Sequence, residues 1–472
     1  MWKRSHSPEK KSPKYLPQQI QRNKAVTKGD LLQCKTPRSL SRVGEKTIGS
    51  LMSKEKFVWM FVVMCMSASL CIACGTPIHP YETNQTDGQT KEPHVGEPST
   101  QDERPPQETQ TTELPDQRTR EQDPEDTQRD YDLQKGIAYL RGRAESWHKS
   151  RLRDTSVGKS ACLSCHTTFP YLLSRPYIKK HTNSSTLEET LFAQLEKRVA
   201  RWDEAPAWYA SSAQKIAESK GTEAVLNAVV LAMRDAQEKR TTPRGSTLQA
   251  LDNLWKEQRK DGAEKGSWAW LHFGLAPFET KKAEYWGATL AAVAVGITPG
   301  GYRTLTRAAQ QYTYSQSIQS RVKDLRTFLR GGFTTGRLDL HEKTMLLWAA
   351  TTWEALLNKE EKASLIQQIQ KAQQADGGWR LASMGTWKRR DSSTIPAGSD
   401  GYATGLVLYV LRLAGQDTQQ DSFQRGLKWL HTHQNEDGSW PGFSLNAKRT
   451  SGEVKQFMPD TATAFALMAL QP

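Results

Sequence analysis

Cysteine is scarce in this chain, with six among 472 residues, and only Cys162 and Cys165 lie beyond residue 74. A four-cysteine zinc site in the C-terminal part is therefore impossible. A mixed site would need a second ligand pair at metal spacing. The ten scattered histidines offer nothing better than His431-Thr432-His433. Long apolar runs are equally few: one uncharged stretch, Phe57 to Cys74, spans 18 residues. Residues 75–130 lack apolar bulk, with Ile78, Tyr81, Val95 and Leu114 almost alone, so that segment cannot bury a core.

What is present is Cys162-Leu163-Ser164-Cys165-His166. Two thiols three apart, with histidine directly after the second, form the arrangement by which c-type haem is covalently attached. The thiols hold the porphyrin edge and His166 ligates the iron from one face. The expectation is one covalent haem c. An unmetallated or zinc-bound pair is the alternative. A thioredoxin-like use would need a βαβ context, and the surroundings read helical.

Haem is joined to apocytochrome thiols outside the energy-transducing membrane, so the motif requires export. Phe57 to Cys74 follows Lys54 and Lys56 and has the length of a signal-peptide core or a marginal spanning helix. Its end, Ile72-Ala73-Cys74-Gly75, resembles a bacterial lipoprotein signal, in which the cysteine is lipidated and becomes the mature N-terminus. Cys71 stands where that pattern usually has leucine, which keeps an uncleaved anchor open. Residues 1–51 are basic, rich in Ser, Pro and Gln, and without apolar periodicity. Translation from Met52 would give a signal peptide (52–74) of ordinary proportions, while a disordered cytoplasmic tail is the other reading. Both place the later residues in a bacterial cell envelope, membrane-anchored and facing the periplasm or exterior.

The charge of +14 divides unevenly. Residues 1–56 carry a net +10 and residues 75–130 a net −9, which leaves +13 for 131–472. The middle segment reads as a disordered acidic tether between anchor and domain. Outside a membrane, the basic domain suits acidic redox partners, lipid headgroups or cell-wall polymer rather than nucleic acid. A solvated basic face without a partner remains the plain alternative.

Residues 131–472 are organised by a repeat. Three turns share a pattern: Gln258 leading through Gly266-Ser267 to Trp268, Gln374 through Gly377-Gly378 to Trp379, and Gln434 through Gly438-Ser439 to Trp440. A degenerate unit falls near Val322 to Phe333. Helices rich in small residues begin near Cys165, Glu223, Trp286, Lys343, Ala403 and Ala462, at steps of 57 to 63 residues. Six helical hairpins follow, with apolar inner helices and amphipathic outer ones.

These turns resemble those of the squalene-hopene cyclase and prenyltransferase superfamily, in which a Gln…Gly-x-Trp turn closes each repeat. There the glutamine caps the next helix and the tryptophan stacks on the hairpin junction. The resemblance implies an all-α fold, an (α/α)6 toroid of two concentric helical rings. The family's chemistry is not matched. Its Asp-x-Asp-Asp-Thr-Ala acid is reduced to lone carboxylates at Asp460 and Asp400, the only and weak catalytic candidates, and no zinc-ligand set is present. A single aspartate lacks the like-charged neighbour that would raise its pKa. Before an alanine-rich helix, Asp460 reads as an N-cap.

On the repeat map, Cys162 to His166 occupies the N-terminal end of the first inner helix. A closed ring brings the sixth repeat beside the first, so Met458 becomes a candidate sixth haem ligand, ahead of His181, His272 and His341. Two functions follow: a tethered monohaem cytochrome for electron transfer or haem redox chemistry, or a non-redox toroid that binds or cyclises an apolar molecule.

Overall fold

The computed structural model describes residues 131–182, 185–304 and 318–471, all within the compact unit Asp116–Pro472. The extension, the signal-like segment with Cys74 and the acidic tether lie outside the described residues. No described helix is long and apolar enough to cross a membrane.

Among the described residues there are twelve α-helices. They are α1 (Leu133–Arg151), α2 (Thr168–Ile178), α3 (Thr186–Ala200), α4 (Ala213–Gln237), α5 (Gly245–Glu257) and α6 (Ala283–Ile297). The second half comprises α7 (Ile318–Thr334), α8 (Leu340–Thr352), α9 (Lys359–Lys371), α10 (Gly401–Leu413), α11 (Asp421–Thr432) and α12 (Phe457–Leu470). Burial separates them into two sets. In α6 every residue from Ala283 to Val295 is buried, whereas α11 buries only Phe423, Gly426, Trp429 and Leu430, a single stripe. Each even-numbered helix packs on the next, and α12 packs on α2, so the inner ring closes. The odd-numbered helices form the outer ring of an (α/α)6 toroid.

Local chemistry starts the helices where the ring needs them. Asn358 and Glu361 form a capping box at α9, with backbone-to-side-chain bonds of 2.7 and 2.9 Å. Asp400 caps α10 by accepting from the Ala403 amide at 2.9 Å. Several expected boundaries move: the sixth inner helix begins at Phe457 and not near Ala462, and two other shifts bear on the site. The second inner helix begins at Ala213, not near Glu223, because Ser212 caps it and Lys215 is held in the first turns by the His272 carbonyl. The first inner helix begins at Thr168, so Cys162 to His166 forms the loop that enters it. The degenerate unit is α7, which sends Val322, Leu325 and Leu329 into the core.

The repeat turns work through one shared set of bonds. The Trp268, Trp379 and Trp440 indoles donate to Leu254, Ile369 and Leu430 carbonyls at 2.7, 2.7 and 2.8 Å, tying each turn to the end of its own outer helix. The glutamine four residues after that carbonyl reaches the next outer helix. Gln258 donates to the Arg321 carbonyl at 3.1 Å and Gln373 to that of Ser422 at 2.6 Å. The second turn therefore uses Gln373 and not Gln374, whose amide bonds only the Ala372 carbonyl nearby. The one-residue slip leaves no trace in a Gln-Gln pair read as sequence.

Gln434 performs the same task across the seam. It accepts from the Asp132 amide at 2.6 Å and donates to the Asp132 carbonyl at 2.9 Å, so the last turn caps the first helix.

The lumen is filled. Three ring contacts join inner helices that are not neighbours: Tyr177 with Tyr409 at 5.5 Å, Phe169 with Trp286 at 6.2 Å, and Trp348 with Phe465 at 6.3 Å. Such contacts exist only across the axis.

Gly438 tests the seam. Its φ is +86°, and a Cβ there would stand 2.4 Å from the Lys135 backbone of α1. Gly438→Val is expected to cost about 3 kcal/mol in thermal or urea unfolding, from left-handed strain plus overpacking. Gly415→Val, at φ +73° but facing open space, should lose only the strain. Equal losses would show that the seam is not under this constraint.

Candidate functional site

The loop between α1 and α2 is held from three sides. Arg153 and Ser160 pair as an antiparallel bridge, each amide bonding the other's carbonyl at 3.1 Å. The Trp147 indole donates to the Cys162 carbonyl at 3.0 Å. Ser164, between the cysteines, accepts from the Thr167 and Thr168 amides at 3.2 and 3.1 Å and so satisfies two donors at the start of α2. The motif's backbone is thus fixed by its own serine and by α1.

Cys162, Cys165 and His166 line one narrow cleft, together with Trp147, Tyr209 and Glu279. His166 and Glu279 also line an adjoining cleft, with Phe278, Phe457 and Met458. Burial, helped by Glu223 and Glu279, pushes the Cys162 thiol up to about 12. Burial pushes Cys165 up as well. Neither is a thiolate near neutrality in the metal-free protein, so neither is a ready nucleophile there. Among the described residues no group of three or more His, Cys, Asp or Glu side chains could hold a metal ion.

The histidine's tautomer follows from counting protons. Thr167 donates its single hydroxyl proton to Asp460 Oδ2 at 2.7 Å, so at 2.9 Å from His166 Nδ1 its oxygen can only accept. His166 carries its proton on Nδ1 and leaves Nε2 with a free lone pair. Burial, then Arg143 and Arg151, holds the imidazole down at about 3, which keeps it neutral. A neutral imidazole fixed through Nδ1 is what iron ligation through the other nitrogen requires. Two thiols and such an imidazole on one cleft fit a covalently held haem.

Asp460 is not an N-cap. Gln456 holds that position, and Asp460 lies in the first turn of α12, fully buried. It accepts from Arg143 Nε and Nη2 at 2.8 and 3.1 Å, from the Tyr139 hydroxyl at 3.0 Å and from Thr167. Burial pushes its carboxyl up and the bidentate guanidinium opposes that. It joins α12, α1 and the cysteine loop. Asp400, pushed up to about 6 by burial, spends both oxygens on the Ala403 and Leu381 amides.

Residues 456–460 do lie beside the motif. The Thr461 hydroxyl donates to the His166 carbonyl at 3.1 Å. Met458 shares a cleft with His166, while the aromatic group stacked on the imidazole is Phe457, at 3.5 Å and 18°. The other histidines are committed elsewhere: His181, past the far end of α2, bonds Gln471 at 2.8 Å, and His341 bonds Tyr402 at 2.8 Å. His272 lies in the loop that leads to α6. Glu279 went unnoticed in the sequence. Burial pushes its carboxyl up to about 7, against a hydrogen bond with the Cys165 thiol. Its only signal was a carboxylate set in the apolar stretch Leu275-Ala276-Pro277-Phe278.

Residues 339–472 match the family model described as squalene-hopene cyclase C-terminal domain. The fold is a cyclase-like α/α toroid. The matched span runs from α8 to α12 and includes Asp400 and Asp460, whereas the cysteine loop lies outside it. Among solved structures, a possible member of the GH105 family from Salmonella enterica subsp. enterica serovar Paratyphi A str. ATCC 9150 is 11% identical. That match covers 71% of this chain and 92% of that one, at a TM-score of 0.41. A structure described as a glycosidase is 12% identical over 72% of this chain and all of its own, at 0.39. No curated protein matches.

Thr167→Val removes the only acceptor of the Nδ1 proton. In nitrogen-15 NMR of the haem-free protein, His166 should show one Nδ1–H tautomer, and the variant a mixture with Nε2–H. The variant should also lose about 1–3 kcal/mol, since the buried imidazole N–H loses its partner and Asp460 loses one donor. An unchanged tautomer would sink the assignment.

Proposed function

We propose that the chain is a c-type haem protein of the bacterial cell envelope, tethered to the membrane through Cys74 or an uncleaved anchor, with its redox group at one mouth of the toroid. The observation that supports this best is the Cys162, Cys165 and His166 set on one cleft, with the imidazole oriented through Thr167 and Asp460. Bound haem would supply one-electron redox chemistry. Cys162 and Cys165 would hold it and His166 would ligate it. Trp147, edge-on to His166 at 5.1 Å, and Phe457 shield that imidazole from water. Glu279, on both clefts, can hold a proton beside the thiols. Met458, which lines a cleft with His166, would be the candidate for a second iron ligand. An acidic electron-transfer partner or an apolar small molecule suits the basic domain.

The alternative, a toroid that binds or cyclises a hydrophobic ligand, would need the lumen, which Trp348, Tyr402, Tyr409 and Phe465 fill and would have to vacate. Its family acid is represented by Asp460, already engaged by Arg143.

Full-length protein made in a host with c-type maturation should carry one covalent haem by mass spectrometry. It should lose that haem in Cys162→Ala with Cys165→Ala. Stoichiometric zinc without haem would refute the reading. Met458→Ala should open the iron to carbon monoxide and abolish sulfur-to-iron absorption. Carbon monoxide binding to the unmodified ferrous protein would remove Met458 from the ligand set and favour small-molecule chemistry over electron relay.

A further inference from the structure

We propose that the filled lumen is a redox relay, which passes a one-electron vacancy from an oxidant at the cysteine-loop mouth to Tyr177 on the opposite face. The path begins at Phe278, which lines the cleft shared by His166 and Met458 and packs on Tyr402 at 5.5 Å between centroids. Phe465 follows at 5.2 Å, Trp348 at 6.3 Å, Tyr409 at 5.3 Å and Tyr177 at 5.5 Å. Tyr402 and Tyr409 are seven residues apart on α10, so this stretch advances about 10 Å along the axis. Tyrosine and tryptophan, after cysteine, are the side chains that lose an electron most readily, and none is more than one phenyl ring from the next.

Packing alone does not ask for this composition. Leucine or phenylalanine would fill the same space without desolvating hydroxyls, yet Tyr402 and Tyr409 are 0% and 2% exposed. Their hydroxyls meet groups suited to proton movement. Tyr402 lies 2.8 Å from His341 Nε2, and the Tyr409 and Tyr177 hydroxyls are 2.6 Å apart. Burial holds His341 down at about 4, so it is neutral at the outset. An oxidised phenol is a far stronger acid than that imidazolium, and the proton moves.

The balance is as follows. An outer-sphere one-electron oxidant at the mouth takes one electron from Tyr402. Its O–H bond breaks and an N–H bond forms on His341 Nε2, leaving a neutral phenoxyl radical. Refilling through Trp348 and Tyr409 returns the proton to Tyr402 and moves the vacancy to Tyr177. Half-buried Tyr177 gives its proton to water, and a small diffusible reductant of the ascorbate class restores it with a hydrogen atom. Overall, one electron passes from reductant to oxidant and one proton is released.

A haem that only relays electrons is too weak an oxidant to take one from tyrosine, so the relay calls for a high-potential one-electron oxidant docked at this mouth and stands apart from the haem reading. A test with its own oxidant separates the two. The full-length chain, with its native cysteines replaced by serine, carries a ruthenium polypyridyl on Val454→Cys, at the cleft that Phe278 lines. Flash-quench oxidation should give a tyrosyl radical in electron paramagnetic resonance that ascorbate removes. Tyr402→Phe should lose it while keeping the parent circular dichroism, whereas Trp348→Phe and Tyr177→Phe should each leave a tyrosyl radical that ascorbate does not remove. No radical in the parent, the parent yield in a folded Tyr402→Phe variant, or removal of the radical by ascorbate in a folded Trp348→Phe variant would overturn the relay. A relay that works in a protein found to carry no haem would refute only the haem reading.

Discussion

Closure of the helical ring is the constraint on which everything else here depends. A lone hairpin of this type would leave an inner helix such as α6, apolar on nearly all sides, facing water. Only when α12 lies on α2 does each inner helix have two inner neighbours and an outer partner. The bonds at that seam are specific. Gln434 grips Asp132 from the outer side, and buried Asp460 grips Arg143, Tyr139 and Thr167 from the inner side. Removing Arg143 or Asp460 leaves the other's charge unpaired, at a cost of about 3–5 kcal/mol.

Closure also makes the site. The cysteine loop belongs to the first hairpin, but what orients His166 belongs to the sixth, some 290 residues later: Asp460 through Thr167, Phe457 on the imidazole face, Thr461 on the carbonyl. Asp460, which the resemblance to the cyclases sets where their acid would stand, is here a structural carboxylate. It is held by a bidentate arginine and serves a histidine that the residues matched to the cyclase domain do not include. One position on the same scaffold thus changes role with its partners, which is why the fold alone does not give the chemistry.

The lumen shows the same dependence. In a hollow toroid the inner faces would line a chamber. Here Trp348, Tyr409, Phe465 and Tyr402 interdigitate edge to face across the axis, and the cavities described at the motif open on one mouth. Edge-to-face geometry lets large rings fill the axis with favourable quadrupole contacts.

The sequence by itself determined the Cys162, Cys165 and His166 spacing, the six-hairpin period and the division into apolar and amphipathic helices. Those are local or periodic properties: the spacing of Cys162, Cys165 and His166 is covalent, and a 3.6-residue pattern shows which face is buried. It also carried the turn grammar, apart from the slip between Gln373 and Gln374, because one glutamine reads like another until a carbonyl of the next helix selects it. Tertiary structure alone decided that Asp460 orients a histidine instead of capping a helix and that Glu279 stands beside Cys165. It alone placed rings from opposite walls so that they meet in the lumen. Each of these depends on distances between residues remote in the chain, set by ring closure and side-chain packing, and no local pattern encodes them.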